Sequence, residues 1–155
     1  APGLTGAVGT MVTQLAREAG PYVIGAGRAA DRQKALDFGS HEFVDLDNDT
    51  LEDVGAVDLV YDVIGGDIQK RSADLIKPGG TLVSITGPAE ARPRDGLAVD
   101  FVVEADRAQL GEIVERVRGG RLRTNIGHVA TLDDAVTALN PTERAEGKTI
   151  ISVRP

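Results

Sequence analysis

Apolar positions along the chain alternate between two spacings. Met11, Val12, Leu15 and Ala19 recur at three- and four-residue intervals, which predicts an amphipathic helix that ends at Gly20. Continuous apolar runs instead predict buried strands, at 22–27, 42–46, 57–64, 81–86 and 97–104. Further helices are predicted from Asp31 to Gly39, from an N-cap at Asp67 to a stop at Pro78-Gly79-Gly80, and around Leu110–Val117.

Strands that are apolar throughout and alternate with amphipathic helices are typical of a parallel sheet covered on both faces. The predicted fold is therefore α/β, a doubly wound parallel sheet of the Rossmann type. Only Ala1 and Pro2 precede the first glycine turn, so we expect this sheet to miss its first strand. Residues 1–122 are predicted to form this domain, and 123–155, with a short helix and the strand KTIISV, a C-terminal appendage.

Composition narrows the possible partners. The chain has 155 residues, 41% of them hydrophobic, and a net charge of −7, which disfavours nucleic acid and anionic membranes. It has no cysteine, which excludes disulfides and thiolate zinc sites, and its two histidines, His41 and His128, are far apart in sequence. No signal peptide or apolar run of about 20 residues is present, so a cytoplasmic location is predicted.

A glycine-rich stretch at the start of the chain carries the candidate chemistry. Gly3, Gly6 and Gly9 are spaced three apart and lead into the first predicted helix. In a dinucleotide fold such glycines turn the chain out of a strand, admit a pyrophosphate to the backbone and let the helix pack closely. The helix N-terminus then offers amides to the phosphates. An ordinary tight loop is the alternative interpretation.

The end of the next predicted strand indicates which dinucleotide is bound. NAD-binding domains carry Asp or Glu there for the ribose hydroxyls, whereas this strand ends in Gly27 followed by Arg28. An arginine can pair with the 2′-phosphate of NADP, so NADP is favoured over NAD. Arg28, Arg32 and Lys34 are alternatively a solvated helix face. The missing acid also argues against an S-adenosylmethionine methyltransferase.

Five segments together give the chain a family resemblance. It resembles the coenzyme domain of medium-chain dehydrogenases/reductases, in their zinc-independent, quinone-oxidoreductase-like branch. The matching stretches are GLTGAVGTMVTQLAREAG, VDLVYDVIGG, KPGGTLVSITG, FVVEADRAQL and GKTIISV. The resemblance implies an NADPH-dependent oxidoreductase that transfers hydride to a quinone, enone or aldehyde, without zinc.

The same resemblance implies limits for this chain taken alone. The family has a barrel-like, GroES-like catalytic domain before the coenzyme domain, and these 155 residues do not contain it. We therefore expect NADP(H) binding from the chain alone, with activity only in the intact protein, and we expect residues 123–155 to pack on that other domain. Ala7 departs from the family, which commonly has glycine there.

The resemblance also implies the cofactor contacts, while no catalytic residue and no metal ligand is assigned. They are the pyrophosphate residues Thr5, Gly6, Ala7 and Val8, the 2′-phosphate residues Gly27, Arg28 and Arg32, the adenine-to-ribose residues Val63 and Ile64, and the nicotinamide residues Thr86, Gly87, Phe101, Val102 and Val103.

Other interpretations remain open from the sequence. The chain is alternatively a non-catalytic NADP(H) sensor that acts through a dimer, and an apolar edge strand at Val99–Val103 predicts a homodimer. Asp58 and Asp62 flank a strand as a conceivable acid–base pair, although a strand-end cap and a solvated acid are favoured. Tyr61 is favoured as packing, and the segment RPRDG as a surface loop instead of a phosphate clamp.

Overall fold

A computed structural model describes residues 6–100, 103–140 and 147–154. Contacts within the chain divide it into two compact units, Ala1–Asp106 and Arg107–Pro155. The first unit contains α1 (Ala7–Ala19), β1 (Ile24–Gly27), α2 (Arg32–Asp37), β2 (Glu42–Asp45), β3 (Val57–Asp62), α3 (Gly66–Asp74), β4 (Ile76–Ser84) and β5 (Gly96–Asp100). The second contains α4 (Arg107–Arg118), β6 (Ile126–Thr131), α5 (Ala135–Leu139) and β7 (Lys148–Ser152). The domain boundary predicted at residue 122 stays a prediction.

Every strand pair among the described residues is parallel, as predicted for this α/β fold. β1 pairs with β2, β4 lies between β3 and β5, and β6 pairs with β7 in the second unit. Leu82 of β4 is completely buried. The parallel pairing brings the carboxyl ends of neighbouring strands to the same edge, where functional residues of such folds gather.

A cavity of about 490 Å³ separates the two sheets of the first unit. β1 and β3 line it, together with parts of α1 and α3, and most of the lining side chains are apolar. The edges of β1 and β3 on this side are not hydrogen-bonded to another described strand. Its mostly apolar lining does not suit the charged phosphates of a dinucleotide, so the strand ends are the candidate site.

Helix α3 differs from the prediction at both ends. The helix starts at Gly66 with Gly65 as its N-cap, so Asp67 lies in the first turn and caps nothing. It ends at Asp74 with Leu75 as its C-cap, and Pro78, Gly79 and Gly80 belong to strand β4. A side chain on Gly80 would lie 2.7 Å from Asp58 O, so this glycine serves close strand packing and does not stop a helix.

Candidate functional site

The predicted cofactor residues lie at strand ends and at one helix start. Gly27 ends β1, Val63 and Ile64 follow β3, and Thr86 and Gly87 follow β4. Val103 lies beyond β5 and is 83% exposed. Thr5, Phe101 and Val102 fall outside the described residues.

Helix α1 begins at the predicted glycine turn. Gly6 is its N-cap, with an extended backbone, and Thr10 N donates the first helical hydrogen bond to Gly6 O at 3.1 Å. The first amides of a helix, here including those of Ala7 and Val8, lack partners within the helix. This end of α1 therefore has the polarity that an anionic group requires.

The end of β1 combines a glycine with a cation. A Cβ on Gly27 would lie 3.3 Å from Phe43 Cζ, so the ring leaves little room for any larger residue. Arg28 is exposed, and no hydrogen bond or ion pair joins its guanidinium to another described residue. The turn that carries it is held by Asp45, which accepts a hydrogen bond from Ala29 N.

An acidic residue lies closer to this strand end than its sequence position indicated. Asp31 Oδ2 lies 3.6 Å from the position that a Cβ on Gly27 would take. Sequence reasoning looked for an acid directly at the strand end and missed this one, because the 3₁₀ turn Ala29–Asp31 folds the carboxylate back.

Arg32, also predicted to meet the 2′-phosphate, contacts β2 and the loop after it. Its guanidinium donates to Phe43 O at 3.2 Å, pairs with Asp49 at 3.4 Å and lies 5.3 Å from the centre of the Phe43 ring. These contacts hold α2 against β2. Arg32 therefore has partners in the described structure, whereas the guanidinium of Arg28 has none among the described residues.

Asp62, at the end of β3, is the centre of a buried polar cluster. One carboxylate oxygen accepts from Ile64 N at 3.0 Å and from Gly65 N at 2.8 Å. The other accepts from Gln69 Nε2 at 2.7 Å and from Ser84 Oγ at 2.9 Å. The predicted strand-end cap is thereby confirmed, whereas Asp58 is an exposed acid that pairs with Lys77.

The protonation state of Asp62 follows from these contacts. Burial raises the pKa of this carboxyl, but hydrogen bonds from Gly65 N, Gln69, Ile64 N and Ser84 outweigh burial and hold the pKa below its usual value. Asp62 is therefore ionised at neutral pH and acts as an acceptor. Burial also raises the pKa of Tyr61, which keeps its phenol protonated.

The remaining sequence candidates have structural partners. Arg92 of the RPRDG segment pairs with Asp100 at 3.2 Å. His41 accepts a hydrogen bond from Val23 N at its Nδ1 and stacks on Tyr22. Among the residues that the structure describes, no three His, Asp or Glu side chains are placed to hold a metal ion. No helix of the described part is long and apolar enough to cross a membrane.

Comparison with known proteins identifies the family. The model of the zinc-binding dehydrogenase family matches residues 38–151. The chain belongs to this family. The predicted membership of the medium-chain dehydrogenase/reductase superfamily is thus confirmed, while the zinc-independent branch stays a prediction.

Individual relatives agree with this assignment. A zinc-binding oxidoreductase of Arthroderma benhamiae, named as mitochondrial, is 29% identical over 96% of this chain and 50% of its own length. The quinone oxidoreductase of Coxiella burnetii superposes with a TM-score of 0.79, at 26% identity, over 97% of this chain and 51% of its own. A protein of Sinorhizobium meliloti 1021, described as a zinc-binding dehydrogenase and bound to NADP, has a TM-score of 0.75 at 25% identity, over 95% and 50%. The chain spans about half the length of these relatives.

Proposed function

We propose that the chain binds NADP(H) and serves an oxidoreductase that transfers hydride to a quinone, enone or aldehyde. The observation that carries the proposal is Arg28, an exposed cation without a described partner directly after the glycine that ends β1. A guanidinium presents paired N–H donors that match phosphate oxygens. The relative from Sinorhizobium meliloti bound to NADP supports the same cofactor.

The residues present fit such a cofactor. Gly6, Ala7 and Val8 open a helix of 13 residues, whose N-terminal amides suit the pyrophosphate. In the proposal, Gly27 lies beside the adenosine ribose, and Arg28 pairs with the 2′-phosphate. In the proposal, Val63 and Ile64 line the cleft between adenine and ribose, and Thr86, Gly87 and Val103 lie along the nicotinamide.

The chemistry of the proposed reaction belongs to the cofactor. NADPH supplies the hydride, and the protein places the nicotinamide against the substrate and excludes water. The chain's own task is to bind and orient the dinucleotide, since no catalytic residue is assigned within it. We expect catalytic turnover only where a substrate-binding domain completes the pocket. The name of the Coxiella burnetii relative supports a quinone as substrate.

Two further expectations go with the proposal. A homodimer is proposed through β5, the outer strand of its sheet, where Leu97 is 65% and Val99 37% exposed. A cytoplasmic location stays a prediction, because a relative is named as a mitochondrial protein.

Calorimetric titration of the 155-residue chain with NADPH and with NADH tests the proposal. We expect NADPH to bind in the micromolar range and NADH about tenfold more weakly, since only NADPH offers Arg28 a 2′-phosphate. Arg28→Ala should remove most of this preference. Arg154→Ala, which removes an equal charge in the second unit, should leave it unchanged. Absence of NADPH binding, or equal affinity for both cofactors, contradicts the proposal.

A further inference from the structure

Three polar side chains are buried together where α3 meets the ends of β3 and β4. Asp62 is 5%, Gln69 1% and Ser84 3% exposed. Burying an ionised carboxylate is unfavourable unless donors replace the water that solvated it. Asp62 has five: two backbone amides, the Gln69 amide, and the hydroxyls of Ser84 and Thr86. We call Asp62, Gln69 and Ser84 the buried junction.

The hydrogen bonds of the buried junction fix the orientation of Gln69. Its Nε2 donates to the Asp62 carboxylate at 2.7 Å, and its Oε1 accepts from Glu90 N at 2.7 Å. A rotated amide would turn its NH₂ group toward the Glu90 N–H and its oxygen toward the carboxylate, so both bonds would be lost. The charge of Asp62 therefore determines how Gln69 holds Glu90.

The buried junction thereby holds the two loops that carry proposed cofactor residues. On one side Asp62 itself binds the amides of Ile64 and Gly65. On the other, Gln69 binds Glu90 N, and Ser84 Oγ contacts Thr86 Oγ1 at 3.0 Å. A Lys70–Glu90 ion pair at 3.1 Å adds a second link from α3 to the later loop.

We propose that Asp62 is the positioning residue of the cofactor site, which sets the Ile64–Gly65 loop directly and the 86–90 segment through Gln69. This inference rests on the proposed function. It assigns Asp62 no contact with the cofactor and no proton transfer. Asp62 acts through the direction of the hydrogen bonds in the buried junction. A pair of substitutions that exchanges donor and acceptor across one of these bonds should therefore restore the effect.

Three variants test whether the direction of the hydrogen bonds between Asp62, Gln69 and Glu90 matters. Asp62→Asn keeps the shape but turns a donor toward Gln69 Nε2, which forces the glutamine to rotate away from Glu90 N. Gln69→Glu places a second carboxylate against Asp62. The double variant D62N/Q69E restores one donor facing one acceptor at each contact, with the single charge moved to position 69. Asp58→Asn, at the exposed start of the same strand, is the matched control.

Two measurements are made on each variant, at a temperature where circular dichroism shows it fully folded. Amide hydrogen exchange of Glu90 without ligand reports the bond from Glu90 N to Gln69. NADPH titration, followed by calorimetry and by nicotinamide fluorescence, reports the position of the loops. Because only folded protein is titrated, a purely structural role would leave the affinity unchanged.

We expect Asp62→Asn to lose the Glu90 protection, and each single variant to lose about tenfold in NADPH affinity with altered nicotinamide emission. The NADPH affinity of the double variant should return to within about threefold of the wild-type value. The control Asp58→Asn should bind NADPH as the wild type does. Single variants that bind like the wild type, or a double variant no better than they are, overturn the inference alone. A wild-type chain that does not bind NADPH overturns the proposed function and the cofactor role of Asp62 with it.

Discussion

Gly65 packs directly against the side chain of Thr86. A Cβ built on Gly65 would lie 2.9 Å from Thr86 Oγ1, and the backbone of Gly65 has φ +77°. Both the contact and the conformation require glycine at this position. The loops after β3 and β4 approach each other at this point, next to Asp62 and Ser84 of the buried junction.

Gly65→Ala should therefore destabilise the first unit by about 1 to 3 kcal/mol, because the left-handed backbone and the contact with Thr86 both oppose a methyl group. Urea unfolding measures the change. Gly111→Ala is the matched control, since Gly111 lies inside helix α4 with open space around its Cβ position. That substitution should stabilise by about 0.5 to 1 kcal/mol. Equal effects at the two sites would contradict the argument.

The ion pair between Glu52 and Arg71 should make stability depend on acid pH. A bidentate hydrogen bond from Arg71 lowers the pKa of Glu52 from 4.5 to about 2. A lowered folded-state pKa stabilises above pH 4.5, and this contribution is lost as the pH falls toward 2. Thermal unfolding of Glu52→Gln and wild type should thus differ at pH 6 and converge near pH 2. Glu104→Gln, an exposed acid, should follow the wild type throughout.

Arg32→Ala should separate packing from cofactor binding. The substitution removes the bond to Phe43 O and the pair with Asp49, so the free energy of unfolding should fall by about 1 kcal/mol. NADPH affinity should stay within about threefold of the wild type, in contrast to Arg28→Ala. A large loss of NADPH affinity in Arg32→Ala, with stability unchanged, would assign the 2′-phosphate to Arg32 instead.

Leu97→Lys tests the proposed dimer. A lysine on the outer strand opposes strand pairing between subunits, because its charge would have to be desolvated. Sedimentation analysis should give a dimer for the wild type and a monomer for the variant. Leu132→Lys, at a position 59% exposed in the second unit, is the control and should leave the dimer intact. A monomeric wild type, or a dimer that persists in Leu97→Lys, contradicts the prediction.

Local patterns were sufficient to predict most elements of the fold. The apolar spacing from Met11 to Ala19 predicted α1, which ends with Gly20 in the left-handed conformation. The prediction that Pro78-Gly79-Gly80 ends a helix was wrong, because such residues more often break helices than join a strand. Here Gly80 is needed for the close approach of the Asp58 backbone, and no local pattern reveals a contact 22 residues away.

Site residues that are neighbours in sequence could be predicted, whereas contacts between distant residues could not. Gly27 and Arg28 are adjacent in sequence, so their relation could be inferred without a structure. Asp62 was expected to cap its strand, but its bonds to Gln69 and Ser84 depend on how α3 packs on the sheet. The position of Asp31 depends on a 3₁₀ turn that carries no strong sequence signal.

The cavity between β1 and β3 also bears on how cooperatively the first unit unfolds. Hydrogen-bonded ladders couple strands most strongly, and no such ladder crosses from the β1–β2 pair to the β3–β4–β5 sheet among the described residues. The two blocks can then open as separate foldons, each with its own free energy of opening. The β1–β2 block, with two strands of four residues each, is the one that should open first. The loop that carries Arg28 belongs to that block, so the amides beside the proposed 2′-phosphate contact should exchange before those of the β3–β4–β5 sheet.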